Sequence, residues 1–171
     1  MGDNSNNLSW IDLQNLTQEV LSDDGPGSDN WQAASSATQR INERFMHALR
    51  ENNGKVPGEL HDLPGLIITT IGAKSGEKRA VPLAYHEAEG RLLIIASMGG
   101  AKRNPPWFHN LVANPEVLVE KDGESFTATA VVTTGEDRDA LFESVCAALP
   151  PFAEDQARTA RVIPVVELKR N

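Results

Sequence analysis

The chain has 171 residues and a mass of 18.6 kDa, with 16 lysines and arginines against 24 aspartates and glutamates. That is the size of one ordinary domain, which buries roughly two thirds of its unfolded surface without covalent staples, and the single cysteine, Cys146, excludes an internal disulfide framework. The net charge of −8 argues against a general nucleic-acid binder, because phosphate contacts need a basic surface.

The charge is unevenly spread. Residues 65–110 carry six basic and three acidic side chains, while the segments on either side are acidic. A basic middle in an acidic chain points to a local anion site, chance fluctuation being the plainer alternative. His47, His61, His86 and His109 offer no zinc spacing, so no metal is expected. No apolar run approaches the ~20 residues of a membrane helix, and the first basic residue, Arg40, comes too late for a secretory signal. The expectation is a soluble cytoplasmic protein in a reducing compartment, with a small-molecule partner and no nucleic-acid, membrane or obligate protein partner.

Residues 1–35 read as a polar N-terminal segment. LSWIDLQNLTQEVL within it spaces Leu13, Leu16 and Val20 as a short amphipathic helix. Its polar face has Asp12 and Glu19 and no cation, which makes membrane anchoring the weaker reading. Residues 36–171 read as a single domain, opened by a helix over Ser36–Arg50 with Ile41, Phe45 and Leu49 on one face. Beyond a turn-rich stretch the period changes. LIITTIG, RAVPLAYHE, RLLIIAS, EVLVEKD, ESFTATAVVTT and RVIPVVELK are rich in branched residues and alternate in places, as strands do. Their links, AKSGEK, AEG and KDG, suit antiparallel hairpins, and two helical patches interrupt them, PPWFHNLVANP and EDRDALFESVCAAL. The predicted fold is mainly β with flanking helices, an α+β six-stranded antiparallel split barrel; a doubly wound sheet would need helical crossovers that are missing.

Two loops carry chemistry. In GAKSGEKR, Gly72 and Gly76 let backbone amides approach a ligand, and Lys74, Lys78 and Arg79 supply charge for a phosphate or carboxylate. It is no Walker A loop, since Glu77 follows Gly76 where that motif needs lysine, and the plainer reading is a solvated polar turn. In ASMGGAKRNPPWFHN, Ser97 offers a hydroxyl, Gly99 and Gly100 let a flat ring lie against the backbone, and the helix start near Pro106 to His109 points positive amides outward. Without G-x-G-x-x-G and a βαβ unit, a nicotinamide Rossmann site is excluded. Trp107 and Phe108 suit core plugs better than ring stacking, His109 a helix-terminal hydrogen bond, and Cys146 a buried structural thiol beside Val145 and Leu149. No Ser-His-Asp or H-E-x-x-H machinery can be assembled.

Taken jointly, LIITTIGAKSGEKRAVPLAY, LLIIASMGGAKRNPPWFHNLVANPEV and PPFAEDQARTARVIPVVELK resemble the deazaflavin-dependent nitroreductase family of actinobacterial oxidoreductases, over about residues 63–170. The resemblance implies the split barrel of flavin mononucleotide-binding oxidases and the anionic deazaflavin coenzyme F-420. It places phosphate and tail against Ala73, Lys74, Ser75 and Arg79. The ring is placed along Ala80, Val81, Pro82, Leu83 and Ala84 and along Ile95, Ala96, Ser97 and Met98. Pro106, Trp107, Phe108, His109 and Asn110 close the site, with Trp107 and Asn110 as side-chain contacts. Members that reduce nitroimidazoles look as though they place tyrosines over the ring where this chain has Leu149, Phe152 and Asp155, and a further one at Ala84, so nitro reduction is doubtful. The implied activity is hydride transfer from the reduced coenzyme to an enone, quinone or nitroaromatic. No acid or base residue is indispensable, and Ser97 or solvent supplies the proton. Flavin mononucleotide as the cofactor on the same barrel, or deazaflavin binding without catalysis, are the alternatives.

Overall fold

The computed structural model describes residues 31–56 and 62–171; the helix expected on Leu13, Leu16 and Val20 lies outside the described residues. Helix α1 (Trp31–Glu51) is followed by β1 (Gly65–Ile71), β2 (Lys78–Ala88), β3 (Arg91–Ile95), a 3-10 turn at Met98–Gly100 and helix α2 (Pro106–Ala113). Then come β4 (Glu116–Lys121), β5 (Glu124–Val132), α3 (Gly135–Ala148), α4 (Pro151–Ala157) and β6 (Val165–Arg170). All strand pairs are antiparallel, and the order β1-β2-β3-β6-β5-β4 closes on itself through β1 and β4. The expected six-stranded antiparallel barrel is therefore present.

Which strands alternate follows from what covers them. β1 is apolar almost throughout because it is buried on both faces: Leu66 and Ile68 fill the barrel, and Ile67 packs outside against Phe45, Ala48 and Leu49 of α1. Burying Phe45 and Leu49 in this way is worth about 1.5–3 kcal/mol each. β3 repeats the arrangement, with Ile94 inside and Leu93 and Ile95 outside against Leu141 and Val145 of α3. In β4 and β5 the outer side chains Leu118 and Val131 are exposed while Val117, Val119, Ala128 and Ala130 fill the barrel, giving the period of two.

Several readings need correction, the first being the opening helix, which starts at Trp31 rather than at Ser36. RVIPVVELK is not strand from its start: β6 begins at Val165, because Arg161 turns back into the molecule and Ile163 packs under α3. Residues 151–157 form α4, which carries no apolar stripe because Phe152 is its only large apolar side chain. Cys146 is half-buried rather than buried, and its thiol pKa is pushed up chiefly by burial.

Candidate active site at the open edge of the barrel

β2 pairs with β1 along Lys78–Ala84 but with β3 only from Tyr85 to Ala88. Above Tyr85 the second edge of β2 has no strand beside it, and β3 gives way at Ala96 to the loop leading to the 3-10 turn. The amide of Tyr85 donates to the Pro64 carbonyl, on the β1 side. Alternation therefore turns the main-chain groups of Ala80, Pro82 and Ala84 toward the open edge. Pro82 fits this geometry, since a residue without N–H is tolerated in a strand only where no ladder bond is required. Val81, Leu83 and Tyr85 point inward onto the core.

The β1–β2 turn stands at the same end. Gly76 donates to the Gly72 carbonyl at 2.9 Å, Gly72 to the Glu77 carbonyl at 2.7 Å, and the Glu77 amide to Ser75 Oγ at 3.2 Å. A Cβ on Gly72 would press on Ser75 Oγ and lie 3.3 Å from the Glu77 carbonyl oxygen, so a side chain there would turn the serine hydroxyl away from the Glu77 amide. Gly76 adopts φ +70° with open space where a side chain would stand. Ala73, Lys74, Ser75, Arg79 and Ala80 are exposed, and Arg79 pairs with Glu77 at 3.0 Å. Lys74, Lys78 and Lys102 make no ion pair among the described residues.

Where β3 parts from β2 after Ile95, the chain continues as the segment 96–104. Ile95, Ala96 and Ser97 are buried and Met98 half-buried, and three successive residues have positive φ: Met98 at 47°, Gly99 at 65° and Gly100 at 85°. Helix α4 is seated against it. A Cβ on Gly100 would lie 2.5 Å from the Asp155 carbonyl oxygen and 2.9 Å from Arg158 Cβ. Arg158 bonds the Asp155 carboxylate at 3.1 Å, and burial holds this carboxyl above the ordinary aspartate range, opposed by the Ser97 hydroxyl and by Arg158. Phe152 packs against the cluster of Leu93, Ile95 and Leu141, while Leu149 is half-buried and its amide closes α3 on the Val145 carbonyl. Leu149, Phe152, Asp155 and Ala84 thus stand on elements that meet near one end of the barrel.

Helix α2 begins with Pro106 at its first position, where the missing N–H costs nothing. Trp107 is 7% exposed and belongs to the barrel core, as a plug does. Phe108 is half-buried beside it, while Pro106 and His109 are exposed. Asn110 does structural duty: its Oδ1 accepts from the Ala73 amide at 3.0 Å and its Nδ2 donates to Thr70 Oγ1 at 3.2 Å, tying α2 to the β1–β2 turn. Sequence reasoning missed Arg161, whose guanidinium reaches Ala96, Ser97, Ala101 and Asn104. Arginine before a strand gives no signal of that contact.

A cavity of about 420 Å³ lies at the other end, between the β2–β3 and β4–β5 hairpins, lined by Glu87, Arg91, Lys121, Glu124 and Glu167 among others. Three of its four cations are already matched, Arg91 with Asp137 and Glu167, Lys121 with Glu87 and Asp122, and Arg170 with Glu124, while Lys169 makes no ion pair among the described residues. The open edge, with its unmatched lysines and unpaired main chain, is the stronger candidate site.

The closed six-stranded antiparallel barrel is a fold shared with a solved oxidoreductase, a reductase dependent on reduced F-420. The model of the F420H2-dependent quinone reductase family matches residues 40–170, and the chain belongs to that family of oxidoreductases, which work with reduced coenzyme F-420. An F420H2-dependent quinone reductase of Mycobacterium tuberculosis is 37% identical over 128 residues, 71% of this chain and 84% of that one. The solved structure of a reductase dependent on reduced F-420, FDR-A, is similar at 40% identity and a TM-score of 0.57, covering 62% of this chain and 94% of its own. A second, described as a domain-swapped dimer, is 34% identical with a TM-score of 0.59, covering 77% of this chain and 98% of its own.

Proposed function

We propose that this chain reduces a quinone or a comparably electron-poor planar acceptor with reduced coenzyme F-420 bound at the open edge of β2. The observation that carries the placement is the unpaired Lys78–Ala84 edge, capped by the glycine turn and by Lys74, Lys78 and Lys102, with the 96–101 loop beginning where β3 parts from it. These residues fit the coenzyme: a flat ring needs backbone that can approach closely and hydrogen-bond its rim, and an anionic phosphate and tail need cations, of which Lys74, Lys78 and Lys102 carry no carboxylate among the described residues and the exposed Arg79 would exchange Glu77 for the ligand. Main-chain groups of Ala80, Pro82 and Ala84 would hold the ring from one side and Ile95 to Met98 from the other. Ala73, Lys74, Ser75 and Arg79 would take the phosphate and tail. When bound, the coenzyme supplies the hydride; the protein orients the ring and excludes water.

Ser97, whose hydroxyl acts on the Asp155 carboxyl, would pass a proton to the reduced acceptor, with solvent as the other source. With no tyrosine at Leu149, Phe152 or Asp155, quinones and enones are expected to be reduced faster than bicyclic nitroimidazoles. Residues 36–171 act as the catalytic domain in this reading, and the protein works in the cytoplasm on a small molecule. Titrating the purified protein with coenzyme F-420 and with flavin mononucleotide, followed by fluorescence, tests the cofactor. Oxidation of the reduced coenzyme by a quinone then tests the reaction. Tighter flavin mononucleotide binding would overturn the first part, and coenzyme binding without turnover the second.

A further inference from the structure

The segment 96–104 holds a backbone that its own sequence does not favour. Met98 carries a side chain at φ 47° and is followed by two glycines that also have positive φ; a non-glycine residue there costs about 1–2 kcal/mol. Such a conformation persists only where the surroundings over-determine it. The 3-10 turn contributes the bonds from Gly100 to the Ser97 carbonyl and from Ala101 to the Met98 carbonyl, which fix the turn internally but not its place on the barrel.

The packing of α4 on Gly100 and the bond from the Ala96 amide to the Pro164 carbonyl at 3.0 Å help to place it, and one side chain spans its whole length. Arg161 donates from Nε to the Ala101 carbonyl at 2.8 Å and from one terminal nitrogen to the Ala96 carbonyl at 3.1 Å and Asn104 Oδ1 at 2.8 Å. Its other terminal nitrogen donates to the Ser97 carbonyl at 2.7 Å. Four hydrogen bonds from a planar fork thus reach four acceptors spread across nine residues of chain, a geometry that a lysine ammonium cannot copy. The base of the arginine is itself pinned, its amide donating to Thr159 Oγ1 and its carbonyl accepting from Gln156 Nε2 at 2.7 Å. The guanidinium is half-buried and spends its donors on the chain itself. Burial lowers its pKa, opposed by the field of Asp155, but arginine stays charged.

We propose that Arg161 is the positioning residue of the coenzyme site: it holds the 96–104 segment at the height and angle at which the ring can lie between that segment and the edge of β2. This rests on the reading given under Proposed function. The residue acts through the backbone of Ala96, Ser97 and Ala101, and its charge sits behind the segment, where it favours an anionic ligand in front.

The test uses the full chain with Arg161→Ala and Arg161→Lys. Coenzyme F-420 affinity is read by fluorescence, kcat and KM with a quinone by oxidation of the reduced coenzyme, and thermal unfolding in parallel. Displacing a site wall weakens binding and catalysis by roughly tenfold to a hundredfold, and both variants should show this at temperatures where they remain folded. Low concentrations of guanidinium should restore coenzyme affinity to Arg161→Ala, while sodium chloride of equal ionic strength should not; a residue serving stability alone gives no such selective rescue. Parental affinity in a folded Arg161→Ala protein overturns the inference. So does lost affinity that tracks lost stability and is not restored by guanidinium. If the alanine variant does not fold, the lysine variant decides, and parental affinity and kcat there overturn it equally. A parent protein that binds no coenzyme defeats the functional reading and this inference with it; a parent that binds beside variants that bind equally well defeats this inference alone.

Discussion

At the hairpin end of the barrel Arg91 lies between Asp137 and Glu167, Lys121 between Glu87 and Asp122, and Arg170 against Glu124. At the other end Lys74, Lys78 and Lys102 stand without a carboxylate, around a strand edge that pairs with no second strand among the described residues. The carboxyls differ in the same sense. Hydrogen bonds from arginine hold Glu120, Glu124 and Asp137 below their usual range, whereas burial against the glycine loop raises Asp155. Charges that are matched serve to fasten hairpins and helices, while charges left unmatched beside unpaired backbone are available to a ligand. The cavity between the hairpins is therefore a poorer guide to chemistry than the shallower open edge.

The sharpest way to break this comparison is through glycines of like conformation. Gly100 at φ +85° is pressed against α4, while Gly90 at φ +76° in the β2–β3 hairpin has open space around it. Gly100→Ala should cost roughly 2–4 kcal/mol in urea unfolding, combining backbone strain with a collision on the Asp155 carbonyl, and should also abolish coenzyme binding. Gly90→Ala should cost only about 1 kcal/mol of strain and leave binding intact. Equal losses in the two variants would erase the distinction between the ends.

Next in size are the lysines. Replacing Lys74 and Lys78 together by alanine should weaken coenzyme binding roughly tenfold to a hundredfold, with the parent's affinity itself falling as salt is added. Lys121→Ala, at the hairpin end, should disturb stability and leave binding unchanged. Fluorescence titrations of the three proteins at low and high salt decide it, and a Lys121 variant as impaired as the double variant would move the site to the other end.

The smallest effect is a pH dependence of opposite sign at two carboxyls. Asp155 has its folded pKa raised, so its contribution to stability is greatest in acid and is lost as the pH rises through that value. Glu120, bonded by Arg50 at 2.9 Å, has its folded pKa lowered; its contribution is present above the unfolded value of about 4.5 and is lost as the pH falls through the folded one. Glu120→Gln should cost about 0.5–1 kcal/mol at neutral pH and flatten the acid limb of the stability profile. Asp155→Asn should leave that limb unchanged and remove the decline on the alkaline side of its own titration. Melting temperatures across the acid range distinguish the two.

Much of this architecture could be read from the chain because its signals are local. Branched residues and the short links AKSGEK, AEG and KDG mark strands and hairpins, and the apolar run of β1 against the alternation of β5 distinguishes a covered strand from an exposed one. The glycines and lysines of 72–79 stand on a turn at the open end, as their composition suggested. What stayed hidden depends on contacts distant in sequence. α4 opens on Pro150 and Pro151 and offers Phe152 as its one large apolar residue, so it has no periodicity to detect, and it forms where it can dock on Gly100. Arg161 gives no pattern at all, since its four partners lie 57 to 65 residues earlier in the chain. Asn110, which the resemblance marks as a ligand contact, also ties α2 to the β1–β2 turn, a contact no local pattern announces.

The proline in the middle of β2 has a second consequence. A strand edge with no neighbour invites another molecule's strand to complete the ladder, which is how folded domains begin to aggregate. Pro82 withdraws a donor from the middle of that edge, and Lys78 and Arg79 place like charges at its tip, so that a second copy approaching in register meets both a missing bond and repulsion. The gap can thus stay open to a flat molecule without becoming adhesive toward protein, and substituting Pro82 by valine would put a β-former with a free amide on an edge where self-assembly could start.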